Sequence, residues 1–442
     1  MADIAQPSSP RQDRRWLRRL AALEPFYILL LGWPLLLPQR FTPESLQPFI
    51  ETWRPALLAA LLLFWPIRRL AYRRWSIRTP IDWPLIFMLL WLPVNYWASA
   101  DKALSWGALT YPLYGIALYT ALINWPPAQR QPQWTAGLII LIGMGLAAIA
   151  PAFSDLSFGK LFNVPALEAI NQQLSALVPG NVNANQVGGA LVVIVPLSLA
   201  MALRGDWSQR RWPRLIIALV TLFVLGMLLL TQSRGAYLAA VIALPGVVVL
   251  RWPKLRYLLL AVVMIGVVAF FIIGPERVVE LVLGGSSASG LSGRLEVWSR
   301  ALYAISDFPF TGIGIGTFNL VIPLLYPFFT IAPDAKLDHA HNLFLQVGLD
   351  LGLPGLIAYL ALLLVVLAVL IGVLRRRAPL DSTLAAGTLG SFIAMLVHGI
   401  VDVPVWGGKT AFIPWLLVAL AMQIATRQIA TRTADSPVSP ST

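Results

Sequence analysis

Two of the three histidines in this chain stand two residues apart, in His339-Ala340-His341-Asn342. An imidazole with the ordinary pKa near 6.5 can take a proton from an attacking hydroxyl at neutral pH, so this pair is the first candidate for a general base. Asp338 directly precedes it, and Asp334 lies a little further back. These carboxylates and the two imidazoles are also the one grouping with metal-ligand chemistry. Residues 338, 339 and 341 would converge on an ion only in an irregular turn, and no second His/Glu pair on a helix supports them. No metal and no other cofactor is therefore expected. The bland reading of such a pair is a set of polar residues at a membrane mouth.

Positive charge is the second chemical resource. Arg234 directly follows the uncharged run Leu215–Ser233 and precedes another apolar run. An arginine at mid-bilayer costs roughly 2.5–3.5 kcal/mol, so Arg234 belongs at a membrane edge, either snorkelling to headgroups or binding an anion. Arg294 opens a stretch in which Leu295, Trp298, Leu302 and Ile305 recur on one helical face. There a helix N-terminus would add positive potential and free N–H groups. Arg300 reads as a solvated charge. Gly312-Ile313-Gly314-Ile315-Gly316 lacks the strand-to-helix setting of a nucleotide loop and reads as a glycine turn leaving that helix. Asp402 reads as a boundary residue at the end of an apolar run.

The elements that position these residues follow from composition. Of 442 residues 58% are hydrophobic and 12% charged, where a soluble domain carries about 25% charged. Seventeen Trp and eleven Tyr suit a protein with two water–lipid boundaries. There is no cysteine, which excludes disulfides, thiolate metal sites and cysteine nucleophiles. The net charge of +13 sits in short clusters between apolar runs, the pattern of membrane orientation and not of nucleic-acid binding.

Uncharged runs mark the spans: Pro25–Gln39, Pro55–Ile67, Trp83–Ala100, Ala103–Gln129, Gln131–Ser154, Asn185–Leu203, Leu215–Ser233, Gly235–Leu250, Tyr257–Pro275, Leu351–Leu374, Ser382–Val401 and Thr410–Thr426. The fold class expected is an all-α integral membrane protein of about twelve transmembrane helices, with a large extracytoplasmic loop between the ninth and tenth. With the N-terminus inside, the clusters Arg11–Arg19, Arg68–Arg78, Arg204–Arg214, Arg251–Arg256 and Arg375–Arg377 all fall in the cytoplasm. Arg234, Arg294 and the histidine pair then face outward. Residues 1–24 form a basic cytoplasmic tail, 25–426 the polytopic membrane domain, and 427–442 a disordered cytoplasmic tail. Asp155–Gly180 reads as a second outer segment lying along the interface.

In order, TQSRGAYLA (Thr231–Ala239), SGRLEVWSRAL (Ser292–Leu302), PFTGIGIGTF (Pro309–Phe318) and HAHNLFLQVGLDLGLPGL (His339–Leu356) resemble the O-antigen ligase/polymerase family. The likeness covers a core of about 185–405, with an outer catalytic loop of about 275–342. The family's His-Asn-x9-Gly-x-x-Gly pattern falls on His341, Asn342, Gly352 and Gly355; Ala358 departs from its usual continuation, with Tyr359 adjacent.

The resemblance implies a glycosyltransferase of the cytoplasmic membrane that works on lipid-linked glycans in cell-surface polysaccharide or lipopolysaccharide biosynthesis. The donor would be a glycan on a polyprenyl diphosphate and the acceptor a hydroxyl of a lipid, glycan or protein. Arg234 and Arg294 would hold the diphosphate, His341 would be the base, and Asn342, Asp338 and His339 would support it. Asp350, Gly352, Pro354 and Gly355 would shape the turn into the span Pro354–Leu374. Ligase and repeat-unit polymerase both remain open, with ligase slightly preferred. A glycolipid or ion transporter is the reading of another class.

Overall fold

Each of the twelve uncharged runs holds helix in the computed structural model, which describes residues 14–36, 46–156, 161–176, 182–204, 211–274, 277, 290–332, 337–376 and 378–435. The helices are α1 Arg15–Ala21, α2 Glu24–Leu36, α3 Gln47–Ala60, α4 Phe64–Tyr72, α5 Asp82–Ala98, α6 Lys102–Ile123, α7 Pro126–Arg130, α8 Gln133–Phe153, α9 Pro165–Ala176, α10 Ala184–Ala202, α11 Arg211–Leu230 and α12 Arg234–Arg251. There follow α13 Arg256–Ile273, α14 Leu291–Asp307, α15 Phe318–Leu325, α16 Leu343–Arg375, α17 Pro379–Gly399 and α18 Ile413–Asp435. The run Pro55–Ile67 is interrupted by a turn at 61–63. Two dipeptides, Ser154–Asp155 and Val182–Asn183, pair in parallel at the foot of the segment that carries α9.

Among the described residues, eight helical stretches are long and apolar enough to cross a membrane. This makes the chain a multi-pass membrane protein, while the count of about twelve is not reached on length and hydropathy. Helix α5 and the apolar part of α12 (Arg234–Leu250) fall short in length, and burial bears on α6 and α18. Helix α6 is enclosed by protein and buries Ser105, Thr110, Tyr114, Tyr119 and Thr120 along its length. Helix α18 buries Gln423, whose Nε2 donates to the Leu122 carbonyl at 2.8 Å. Helices that touch protein and not lipid have no need of uniform apolarity. Helix α13 is the opposite case, apolar throughout with no buried residue.

The C-terminal expectation needs correcting. Residues 427–435 continue α18 in place of a disordered tail. Arg427 donates to Asp381 on α17 at 3.1 Å, and Arg376 donates to the Gln428 amide oxygen at 3.2 Å. These ties hold the helix beyond its apolar part. Nor is every cytoplasmic-cluster arginine a surface charge: Arg68 is buried, paired with Glu24 at 3.2 Å.

Helix α10 is the centre of the bundle, buried along nearly its whole length against α8, α11, α12 and α17. Residues 309–316, expected as a turn, form a strap wedged between α5, α6 and α16. Gly312, Gly314 and Gly316 all have positive φ, at 65°, 101° and 78°. Helix α16 breaks at Gly352 (φ 69°, ψ 179°) where the strap crosses it, two residues before Pro354. A Cβ on Gly312 would stand 2.2 Å from the Leu349 oxygen, and one on Gly352 would stand 2.1 Å from the Phe310 oxygen. Only glycine allows both this conformation and this approach.

Irregular backbone inside a membrane bundle must be satisfied by protein. Ile313 donates to Leu349 at 2.8 Å, and Leu353 donates to Pro309 at 2.7 Å. Buried Asn95 donates to the Thr311 carbonyl at 2.7 Å and accepts from the Ile315 N–H at 3.2 Å. Ser105 donates to the Ile315 carbonyl at 2.7 Å, and the Gly316 N–H is taken by Asp350 at 3.2 Å. Leaving any one of these unmade would cost about 1–3 kcal/mol.

Candidate active site

The histidine turn is held from three sides. His341 sits in the left-handed region with φ 48°, which a non-glycine residue keeps only when its surroundings hold it there. Asn342 is the N-cap of α16: its Oδ1 accepts from the Phe344 and Leu345 N–H groups, both at 3.0 Å. A cap of this kind contributes about 1 kcal/mol. Its Nδ2 donates to the Ile400 carbonyl at 3.0 Å, tying the start of α16 to the end of α17. From α14, the Trp298 indole donates to the His341 carbonyl at 3.4 Å.

The carboxylate that faces both imidazoles is Asp402. Its Oδ1 lies 3.4 Å from His341 Nδ1 and 3.7 Å from His339 Nε2. It is buried beside the end of α17, with its backbone N–H on the His398 carbonyl at 3.0 Å. Burial alone would raise its pKa. Contact with His341 and the charges of His339, His398 and His341 outweigh that and hold it below the usual carboxylate range. All three histidines of the chain therefore gather at one carboxylate.

The two loop imidazoles are not placed alike. His339 Nδ1 accepts from the His341 backbone N–H at 3.3 Å, so in the neutral ring its proton sits on Nε2, toward Asp402. Burial lowers its pKa, against the opposing pull of Asp402. His341 turns Nδ1 to Asp402. At 3.4 Å the two atoms face each other without an aligned hydrogen bond, and Nδ1 is otherwise buried without a partner; a proton on Nδ1 would leave Nε2 as the basic nitrogen, as where a carboxylate orients a general base.

Arg294 lies in the first turn of α14, four residues before Trp298 and so on the same face. Burial lowers its pKa, Asp402 raises it, and the neighbouring charge of Arg234 lowers it again, so the two arginines and the carboxylate share one field. Its Nε is buried without a hydrogen-bond partner, the kind of orphan donor that a bound anion satisfies. Arg234 is the first residue of α12, whose N-cap Ser233 side chain accepts from Ala236 N at 3.4 Å. The preceding Gln232 has φ 48°; its side chain accepts from Leu161 N at 2.7 Å and donates to the Phe162 carbonyl at 2.6 Å. Arg300 is engaged otherwise: it donates to the Pro327 carbonyl at 3.0 Å and pairs with Glu296 at 3.7 Å.

A cavity of about 580 Å³ reaches the histidine turn from the His339 side. Its lining combines apolar groups such as Trp33, Leu36, Leu146, Ile149, Phe153 and Val187 with the polar Asp338, His339, Gln346, Asp350 and Lys409. Arg234, Arg294 and His341 are not in its lining.

Of the expected site residues, the structure brings His339, His341, Arg294 and Arg234 together. Asn342 caps the helix and anchors the backbone beside His341, its side chain bonded to Phe344, Leu345 and Ile400 and not to the imidazole. Gly352 makes the break in α16, and Gly355 packs close to Leu351 in the following turn. Asp338 lines the cavity, while Asp402 faces the imidazoles in the orienting place expected of Asp338. The sequence reading missed Asp402, although His398 and Asp402 are one helical turn apart, the spacing that sets two side chains on one face. Asp334, the remaining candidate ligand, lies outside the described residues.

Residues 219–360 match the family model of O-antigen ligase. That segment carries Arg234, Arg294, the histidine turn and the α16 break, and ends before Asp402. No curated protein matches the chain. The match supports assignment to the O-antigen ligase family, membrane enzymes of ligase or polymerase type.

Proposed function

We propose, with that family assignment as premise, that the protein transfers a glycan from a polyprenyl diphosphate to an acceptor hydroxyl at the outer face of the cytoplasmic membrane. The observation that carries this reading is His341 Nδ1 at 3.4 Å from Asp402, with Arg294 in the same field. His341 Nε2 takes the acceptor's hydroxyl proton as that oxygen bonds to the anomeric carbon. The bond from that carbon to the diphosphate breaks, and the electron pair leaves with the diphosphate. Arg294 and Arg234 stabilise that charge through charge-assisted bonds of about 1.5–3 kcal/mol each. The donor bond supplies the energy, and attack opposite the leaving group inverts the anomeric centre. A cavity lined by both apolar and polar groups suits an amphipathic substrate.

Ligase is the reading preferred over polymerase. A deletion strain should accumulate long lipid-linked chains; accumulation of single repeat units would make the enzyme a polymerase. A transporter of lipid-linked glycan would move substrate across vesicles and form no glycosidic bond.

One observation favours a second reading of the same residues. The ligand atoms of His339, His341 and Asp402 all lie within 4.8 Å of one another, close enough to share a divalent cation. Two nearby arginines disfavour added positive charge there. Purified protein given donor and acceptor should therefore keep its rate in excess EDTA. Loss of turnover with recovery on adding zinc or magnesium would make the three residues metal ligands.

Twelve crossings with the site outward are part of the proposal. In intact cells an impermeant maleimide should label Ser287→Cys and spare Arg210→Cys, a clean comparison in a chain without cysteine. The reverse pattern would invert the orientation.

A further inference from the structure

We infer that Gln346 is a positioning residue that transmits the hold of Asp350 to the histidine turn. The inference rests on the reading of His341 as the base. Ala340, between the two histidines, donates its buried backbone N–H to Gln346 Oε1 at 2.8 Å. Gln346 Nε2 donates to Asp350 Oδ1 at 3.0 Å, one helical turn further along α16. The same carboxylate oxygen accepts from Gly316 N of the strap at 3.2 Å, and Asp350 Oδ2 accepts from the Trp406 indole at 2.8 Å. Asp350 and Gln346 are buried, at 1% and 4% exposure.

The polarity of this relay is fixed at both ends. A backbone N–H can only donate, so the amide oxygen of Gln346 must face Ala340, and its NH₂ must face the carboxylate. Three N–H donors converge on Asp350 from three different parts of the chain. It is thereby a fixed point to which the strap, the loop after Asp402 and the histidine turn are all referred. Asn342 anchors the turn on one side of His341 and Gln346 on the other. Between them they over-determine the left-handed backbone of His341 and thus the direction of its ring. A shift of about 1 Å in a reacting group can cost up to about 10²-fold in rate.

The test uses the full-length protein in lipid nanodiscs with polyprenyl-diphosphate glycan and acceptor. Gln346→Glu sets one carboxylate against another, and kcat should fall at least about tenfold while KM for the donor moves less than about twofold. Asp350→Asn combined with Gln346→Glu lets the new amide donate to the new carboxylate, which still accepts from Ala340. The new amide leaves the Gly316 N–H without its acceptor, so recovery should be partial, but the double variant should still exceed Gln346→Glu several-fold in kcat, a coupling that two independent packing defects would not give. Should the glutamate variant fail to insert, Gln346→Met, similar in length and without polar groups, replaces it and should lose kcat in the same way. Unchanged kcat in the single variant, or a double variant no better than the worse single, overturns the inference. Carbethoxylation of His341, followed by mass spectrometry, reports the turn without turnover. Unchanged reactivity in Gln346→Glu sinks this inference alone, and altered reactivity with a fully active His341→Ala protein sinks the base assignment alone.

Discussion

His341→Ala should leave a protein that inserts, binds lipid-linked donor and transfers almost nothing, a loss of about 10²–10⁴ in kcat. His339→Ala should keep a substantial fraction of activity. The asymmetry follows from where the nitrogens point. His339 has Nδ1 taken by the His341 backbone N–H, and its Nε2 lies 3.7 Å from Asp402. His341 spends only Nδ1 on Asp402. Asp402→Asn should also be impaired, since an amide can hold the ring in the wrong tautomer; the comparable change in a Ser-His-Asp triad costs about 10⁴. Normal turnover in His341→Ala with loss in His339→Ala would move the base two residues. Activity in both would remove the histidine mechanism.

What the sequence reveals and conceals here has a physical pattern. Charge-free runs announce helices because lipid tolerates no alternative, and each of the twelve runs holds one. Their number as spans is less legible, since a helix enclosed by protein such as α6 carries hydroxyls that lower its hydropathy. His341 stands out because the chain has only three histidines, and Arg294 because it lies apart from the basic clusters between apolar runs. Asp402 does not, because a carboxylate at the end of an apolar run is what any span boundary offers. The strap shows the same limit. Three alternating glycines predict a turn, but only Asn95, Ser105 and Asp350, far away in sequence, convert it into buried backbone. The ties of α18 beyond Thr426 are equally nonlocal, depending on Asp381 and Arg376 of the preceding hairpin.

Arg294→Ala and Arg234→Ala should each lower transfer about 10²–10³-fold, the usual result of removing a positioned donor from a transition state that develops charge. The expectation for Arg294 is the firmer, because its Nε is buried without a partner while the guanidinium lies in the field of Asp402. Burying an arginine beside a second one costs stability, so the arrangement is better suited to receiving an anion than to holding the fold together. Its removal should therefore spare, or slightly raise, thermal stability while transfer collapses. Lysine at either position restores the charge without the two-pronged geometry, and should rescue poorly. Two controls bracket the result. Arg277, which is exposed, should be silent as alanine. Arg300→Ala should loosen the loop through loss of its Pro327 and Glu296 contacts, and so lower stability more than rate. Well-expressed Arg234→Ala and Arg294→Ala proteins with wild-type turnover would make both residues headgroup anchors, and the leaving diphosphate would need another cation.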